Sequence, residues 1–92
     1  MDLNELGKTL RVVGDEHRLA ILCYLMKHRK TCVSDIAQDL SLSVATTSHH
    51  LQVLAKEELV VAVRDGKRIC YALPPSSLVK SFKRFICAHT EF

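Results

Sequence analysis

Four cysteines, at positions 23, 32, 70 and 87, are the residues of this chain best suited to redox chemistry or soft-metal binding. A thiolate is both a nucleophile and a soft ligand. Residues 1–14 contain Asp2 and Glu5 and no unbroken apolar run, so no secretory leader is expected and a cytoplasmic location is. In that reducing setting cysteine signals packing, metal or redox chemistry rather than structural disulfides. A second set of side chains is suited to hydrogen bonding. Thr46, His49, Gln52 and Lys56 fall on one face of a helical segment, flanked by Ser48 and His50 and preceded by Ser43. Such groups match base edges and phosphates. His49 and His50 are a poor metal pair by themselves, because adjacent helical residues point about 100° apart. Arg64, Lys67 and Arg68 form a third set around a turn, where phosphate neutralisation is the chemistry expected.

The elements that position these groups are legible from periodicity. Ser43 is expected to cap a helix over Val44 to Lys56, with Leu42 as its staple. Val44, Thr47, Leu51 and Leu54 make its buried stripe. Thr47 carries a hydroxyl on that stripe, so core filling and DNA contact both stay open for it. Leu59 to Val63 and Arg68 to Leu73 read as strands around the tight-turn signal Asp65-Gly66-Lys67. Upstream, Leu3, Leu6, Leu10 and Val13 mark a first amphipathic helix broken by Gly14. Asp15 is expected to cap a second helix, roughly Glu16 to His28, and Val33 to Leu40 forms a short third one. Pro74 and Pro75 end the second strand, and Ser76 or Ser77 caps a last helix. The fold class is mainly α with a β-hairpin wing, in the order α-α-α-α-β-β-α: a winged helix-turn-helix.

Ninety-two residues imply a single domain, 1–92, with no room for a separate catalytic module. Net charge is only +3, so the placement of charge matters more than its sum. No run reaches transmembrane length, and no membrane partner is expected. Neither a Gly-rich phosphate loop, nor a zinc-protease motif, nor a nucleophile elbow is present, which excludes the familiar enzyme constellations; no cofactor is called for.

These blocks resemble the ArsR/SmtB family of bacterial winged-helix repressors over nearly the whole chain. The carrying residues are Asp15-Glu16-His17-Arg18-Leu19-Ala20-Ile21-Leu22, then Val33-Ser34-Asp35-Ile36-Ala37, then Leu42-Ser43 through Ser48-His49-His50-Leu51-x-Val53-Leu54. Asp65-Gly66-Lys67-Arg68 and Tyr71-x-Leu73 complete the set. The resemblance implies a homodimer packed through the first and last helices, with Leu3, Leu6, Leu10, Leu78, Phe82 and Phe85 at the interface. It also implies double-stranded DNA with an inverted-repeat operator as partner, and a small inorganic inducer. Metal-sensing branches use a Cys-x-Cys-Asp segment, where this chain has Cys32-Val33-Ser34-Asp35 and one thiolate fewer. Their last-helix site needs an Asp-x-His pair, and only His89 and Glu91 are present here. Cys23 and Cys87 do match the pair of positions carried by redox- and persulfide-responsive members. The resemblance therefore favours a thiol switch at Cys23 and Cys87. Lys27 at i+4 from Cys23 and Lys83 at i−4 from Cys87 are expected to lower the thiol pKa values. Two alternatives stay open: a metal or metalloid site drawing on Cys23, Cys32 and Cys87, and a winged-helix module devoted to protein contacts.

Overall fold

A computed structural model describes residues 1–91. Asp2 opens the first helix, its carboxylate accepting from the Glu5 amide at 2.8 Å, and α1 runs Leu3–Val13. Asp15 caps α2, Glu16–Lys27, in the same way, accepting from the Arg18 amide at 3.0 Å. A two-residue strand β1, Thr31–Cys32, leads directly into α3, Val33–Leu40. Ser41 then adopts a left-handed φ of 57°, closing α3 and turning the chain toward Ser43. The Ser43 hydroxyl accepts from the Thr46 amide at 3.0 Å and starts α4, Val44–Lys56. Strands β2, Val61–Asp65, and β3, Arg68–Ala72, pair from Val61↔Ala72 to Asp65↔Arg68. The two-residue connection Gly66-Lys67 has Gly66 at φ +63°, the region that hairpin turns require and glycine adopts without strain. Helix α5, Ser77–His89, is capped by the Ser76 hydroxyl.

Three features differ from the sequence expectation. The sheet has three strands in the order β1-β3-β2, because Thr31 and Cys32 pair with Tyr71 and Cys70. Two residues carry too little periodicity to be read as a strand. The first hairpin strand begins at Val61 rather than Leu59, since Leu59 and Val60 are drawn wholly into the core. Val44 does not share the buried stripe: at the first turn of α4 it is 55% exposed, while Thr47, Leu51 and Leu54 are fully covered.

The core joins Ile21, Leu22 and Leu25 of α2 to Ile36 of α3, Leu51 and Leu54 of α4, and Val79 of α5. Full burial of each such side chain stabilises by about 1.5–3 kcal/mol. Leu51→Ala should therefore lower unfolding free energy by about 2–5 kcal/mol, read from the urea midpoint. A loss under about 1 kcal/mol would mean that α4 is not seated as described.

Candidate nucleic-acid interface and thiol sites

Packing of α4 on α2 and α3 decides which of its side chains look outward. Ser43, Thr46, His49, Gln52 and Lys56 are exposed and Ser48 is half-covered. The Gln52 amide donates to the Ser48 hydroxyl at 3.2 Å, which pre-orients both groups. Val44 and Ala45, not anticipated as contacts, are exposed at the leading end of the same face. Thr47 leaves the set of outward-facing groups. It is 0% exposed, and its hydroxyl donates to the Ser43 carbonyl at 2.8 Å, which satisfies it inside the core.

His50 turns inward. Its ring stands 5.8 Å from that of His17 in an edge-on arrangement, and its Nδ1 lies 3.4 Å from the Arg18 guanidinium. Burial lowers its pKa, against the raising pull of Asp15. Asp15 itself is held below the usual carboxylate range, chiefly by the Arg18 amide. Arg18 also donates from Nε to the Val12 carbonyl at 2.7 Å, so it fastens the end of α1 to α2. The Asp15-x-His17 spacing, set beside a histidine on α4, was the sequence signal for this cluster. It passes unnoticed until the fold brings the two segments together.

On the wing, Arg64, Lys67 and Arg68 are all exposed. Arg68 is partly engaged, donating to Asp35 at 2.9 Å and to Ser34 at 3.4 Å. Lys30 pairs with Asp65 at 3.4 Å. Both pairs are about half exposed, so each contributes at most about 1 kcal/mol, but they tie the hairpin to α3 and to the turn before β1. Arg64 and Lys67 have no ion-pair partner among the described residues.

The cysteines separate into two pairs. Cys32 and Cys70 face each other across β1 and β3 and are joined by a disulfide. This departs from the expectation that the cysteines serve packing, metal or redox chemistry rather than a structural disulfide. It also keeps Cys32 on the sheet, away from a set with Cys23 and Cys87; the register of a two-residue strand had no sequence signature. Cys23 and Cys87 are free, the first half-buried and the second exposed. Cys23 lines a cleft of about 450 Å³ between α2 and the end of α5. Cys87 lines the adjoining one, and Lys27 and Thr90 border both. Burial pushes the Cys23 thiol up and the neighbouring Cys87 pushes it further, while Lys27 opposes them. The expected lowering at Cys23 is thus reversed, because desolvation outweighs the single lysine.

A helix-turn-helix whose second helix exposes a polar face, followed by a basic β-hairpin, is a winged helix-turn-helix. The family model described as bacterial regulatory protein, arsR family, matches residues 15–61. The cadmium resistance transcriptional regulatory protein CadC of Listeria innocua is 44% identical over 61 residues, covering 66% of this chain and 51% of that protein. The arsenical resistance operon repressor of Staphylococcus aureus is 34% identical over 73 residues, covering 79% of this chain and 69% of that one. Among solved structures, reduced HlyU from Vibrio cholerae superposes with a TM-score of 0.84 at 26% identity, over 96% of this chain and 92% of that one. The chain belongs to the arsR family of bacterial regulatory proteins. It spans about half the length of the CadC proteins it matches. No helix among the described residues is long and apolar enough to cross a membrane.

Two outcomes follow. Thiol titration of the unfolded, unreduced protein should find two free thiols, rising to four after reduction; four at the outset would remove the Cys32–Cys70 link. Tyr24 donates to Asp39 at 2.6 Å, which pushes its pKa up to about 12. Its stabilising contribution is full below the unfolded tyrosine value of about 10 and is lost as pH rises through 12. Ultraviolet titration should show a late tyrosinate step that Tyr24→Phe abolishes.

Proposed function

We propose that this chain is a DNA-binding transcriptional repressor that acts as a homodimer and releases its operator when Cys23 and Cys87 react. The observation that carries the DNA reading is the outward face of α4 beside a wing whose Arg64 and Lys67 have no ion-pair partner among the described residues. Thr46, His49 and Gln52 would read base edges, and Val44 and Ala45 would meet thymine methyl groups. Arg64 and Lys67 would neutralise phosphates, with Arg68 contributing where it can leave Asp35. Leu3 at 85% exposure, Leu10 at 48% and Phe85 at 64% support dimerisation, with Leu6, Leu78 and Phe82 half-covered beside them. Two-fold symmetry then calls for an inverted-repeat operator.

For the switch, the placement of Cys23 and Cys87 in adjoining clefts, with Lys27 and Thr90 bordering both, supports a linked pair. Oxidation by a polysulfide or a diazene would form the sulfur–sulfur bond, with two electrons and two protons passing to the oxidant. Joining α2 to α5 would couple the DNA-reading core to the dimer helix and alter the spacing of the two reading helices. The names of the cadmium and arsenical relatives favour a second reading, a metal or metalloid inducer. Cys23 and Cys87 offer two thiolates, and Cys32 is held by Cys70. The three- or four-donor thiolate cage that such ions prefer is therefore not assembled among the described residues.

Gel shifts test the DNA reading. Gln52→Ala or His49→Ala should cost roughly 1–3 kcal/mol of discrimination between the promoter and random duplex. Lys67→Ala should weaken both similarly and flatten the salt slope by about one ion. Equal affinity of the wild type for promoter and random DNA would sink sequence-specific repression. Leu6→Glu with Phe82→Glu should yield monomers with little operator affinity. Polysulfide should release the wild type from DNA and leave Cys23→Ser and Cys87→Ser bound; release of both variants would discard the thiol switch, and release by arsenite or cadmium alone would favour the second reading.

A further inference from the structure

Three potential ligands from two separate segments converge where the start of α2 meets the reading helix. Asp15 and His17 come from the entry to α2 and His50 from the middle of α4, and one donor atom from each lies within 4.8 Å of the other two. All three residues are half-buried, so the site is shielded yet reachable. Among the described residues this is the one group of three or more such side chains so arranged. The one ion pair of His17 among the described residues is with Glu16, at 3.7 Å and largely exposed.

We propose that Asp15, His17 and His50 bind a divalent transition-metal cation of the zinc type, joining the entry of α2 to the reading helix. Two imidazoles and one carboxylate suit zinc, cobalt(II) and nickel(II), and leave a fourth position for water. Bonds of about 2.0–2.1 Å in tetrahedral geometry hold ligand atoms about 3.3 Å apart, so the three donors must draw in by up to about 1.5 Å. Side-chain rotation supplies that. Each carboxylate oxygen has two acceptor positions, so Asp15 keeps its cap on the Arg18 amide while it ligates.

The cation has one built-in competitor. Bound at Nδ1, it takes the lone pair that now faces Arg18; bound at Nε2, it leaves the ring proton on Nδ1. In either case the 3.4 Å contact from Arg18 to His50 is given up, while the bond from Arg18 to the Val12 carbonyl persists. Cation binding therefore exchanges a weak polar contact for a coordinate link between α2 and α4. The site contains no sulfur, so it is chemically separable from both cysteine pairs. It does not depend on the chain binding DNA.

Cobalt(II) titration of the full chain, followed by visible absorption, tests the proposal, with zinc competition as a second measurement. The expected result is one equivalent bound, ligand-field bands without sulfur-to-metal charge transfer, and displacement by zinc. His17→Ala and His50→Ala should each weaken binding at least about tenfold, a loss reached even when a supporting partner of a ligand is removed. Asp15→Asn should also weaken it, and His28→Ala should not. Zinc should raise the melting temperature of the wild type and leave that of His17→Ala unmoved. His17 is 46% exposed, so this variant keeps the fold even if His50→Ala does not. No cobalt binding, a thiolate charge-transfer band, or wild-type affinity in His17→Ala would each overturn the assignment.

Discussion

The seating of α4 by Thr47, Leu51 and Leu54 is the constraint on which the rest of the molecule depends. A helix has one stripe to bury, and once three positions on it are fully covered, every other side chain has a fixed bearing. His49 and Gln52 look outward for that reason, and His50 is swung toward α2. The buried hydroxyl of Thr47 is tolerated because the Ser43 carbonyl lies one turn back. The same stripe thus sets the outward face of α4 and delivers a histidine to the Asp15–His17 corner.

The wing is held by different physics. β2 is exposed along most of its length, so apolar burial holds the hairpin only through Cys70 and Tyr71 of β3. Pairing with β1, the Cys32–Cys70 link and two half-exposed ion pairs complete its attachment. The cost is that Arg68 is shared between Asp35 and any phosphate, which leaves Arg64 and Lys67 as the freer cations. A charge cluster in a sequence therefore counts for less than its sum until the competing carboxylates are located.

The thiols illustrate how burial and charge compete. Cys23 has a lysine one turn away, which by itself favours the thiolate, yet its position against α5 removes enough water to reverse the sign. A raised thiol reacts more slowly but is not inert when a second sulfur stands close by, because exchange also rises with the intrinsic nucleophilicity of a higher-pKa thiolate.

The helix order, the caps at Asp15 and Ser43, the hairpin turn at Gly66 and the polar face of α4 were all decided by local patterns. Each rests on residues within one or two turns of one another, which periodicity and capping chemistry make readable. What only the tertiary structure decided has the opposite character. The pairing of Cys32 with Cys70 spans 38 residues. The capture of Arg68 by Asp35 and the meeting of His50 with Asp15 and His17 likewise join segments more than 30 residues apart. No local spacing encodes such contacts. They arise because burying the α4 stripe leaves the chain one way to close, and closure brings distant polar groups into range.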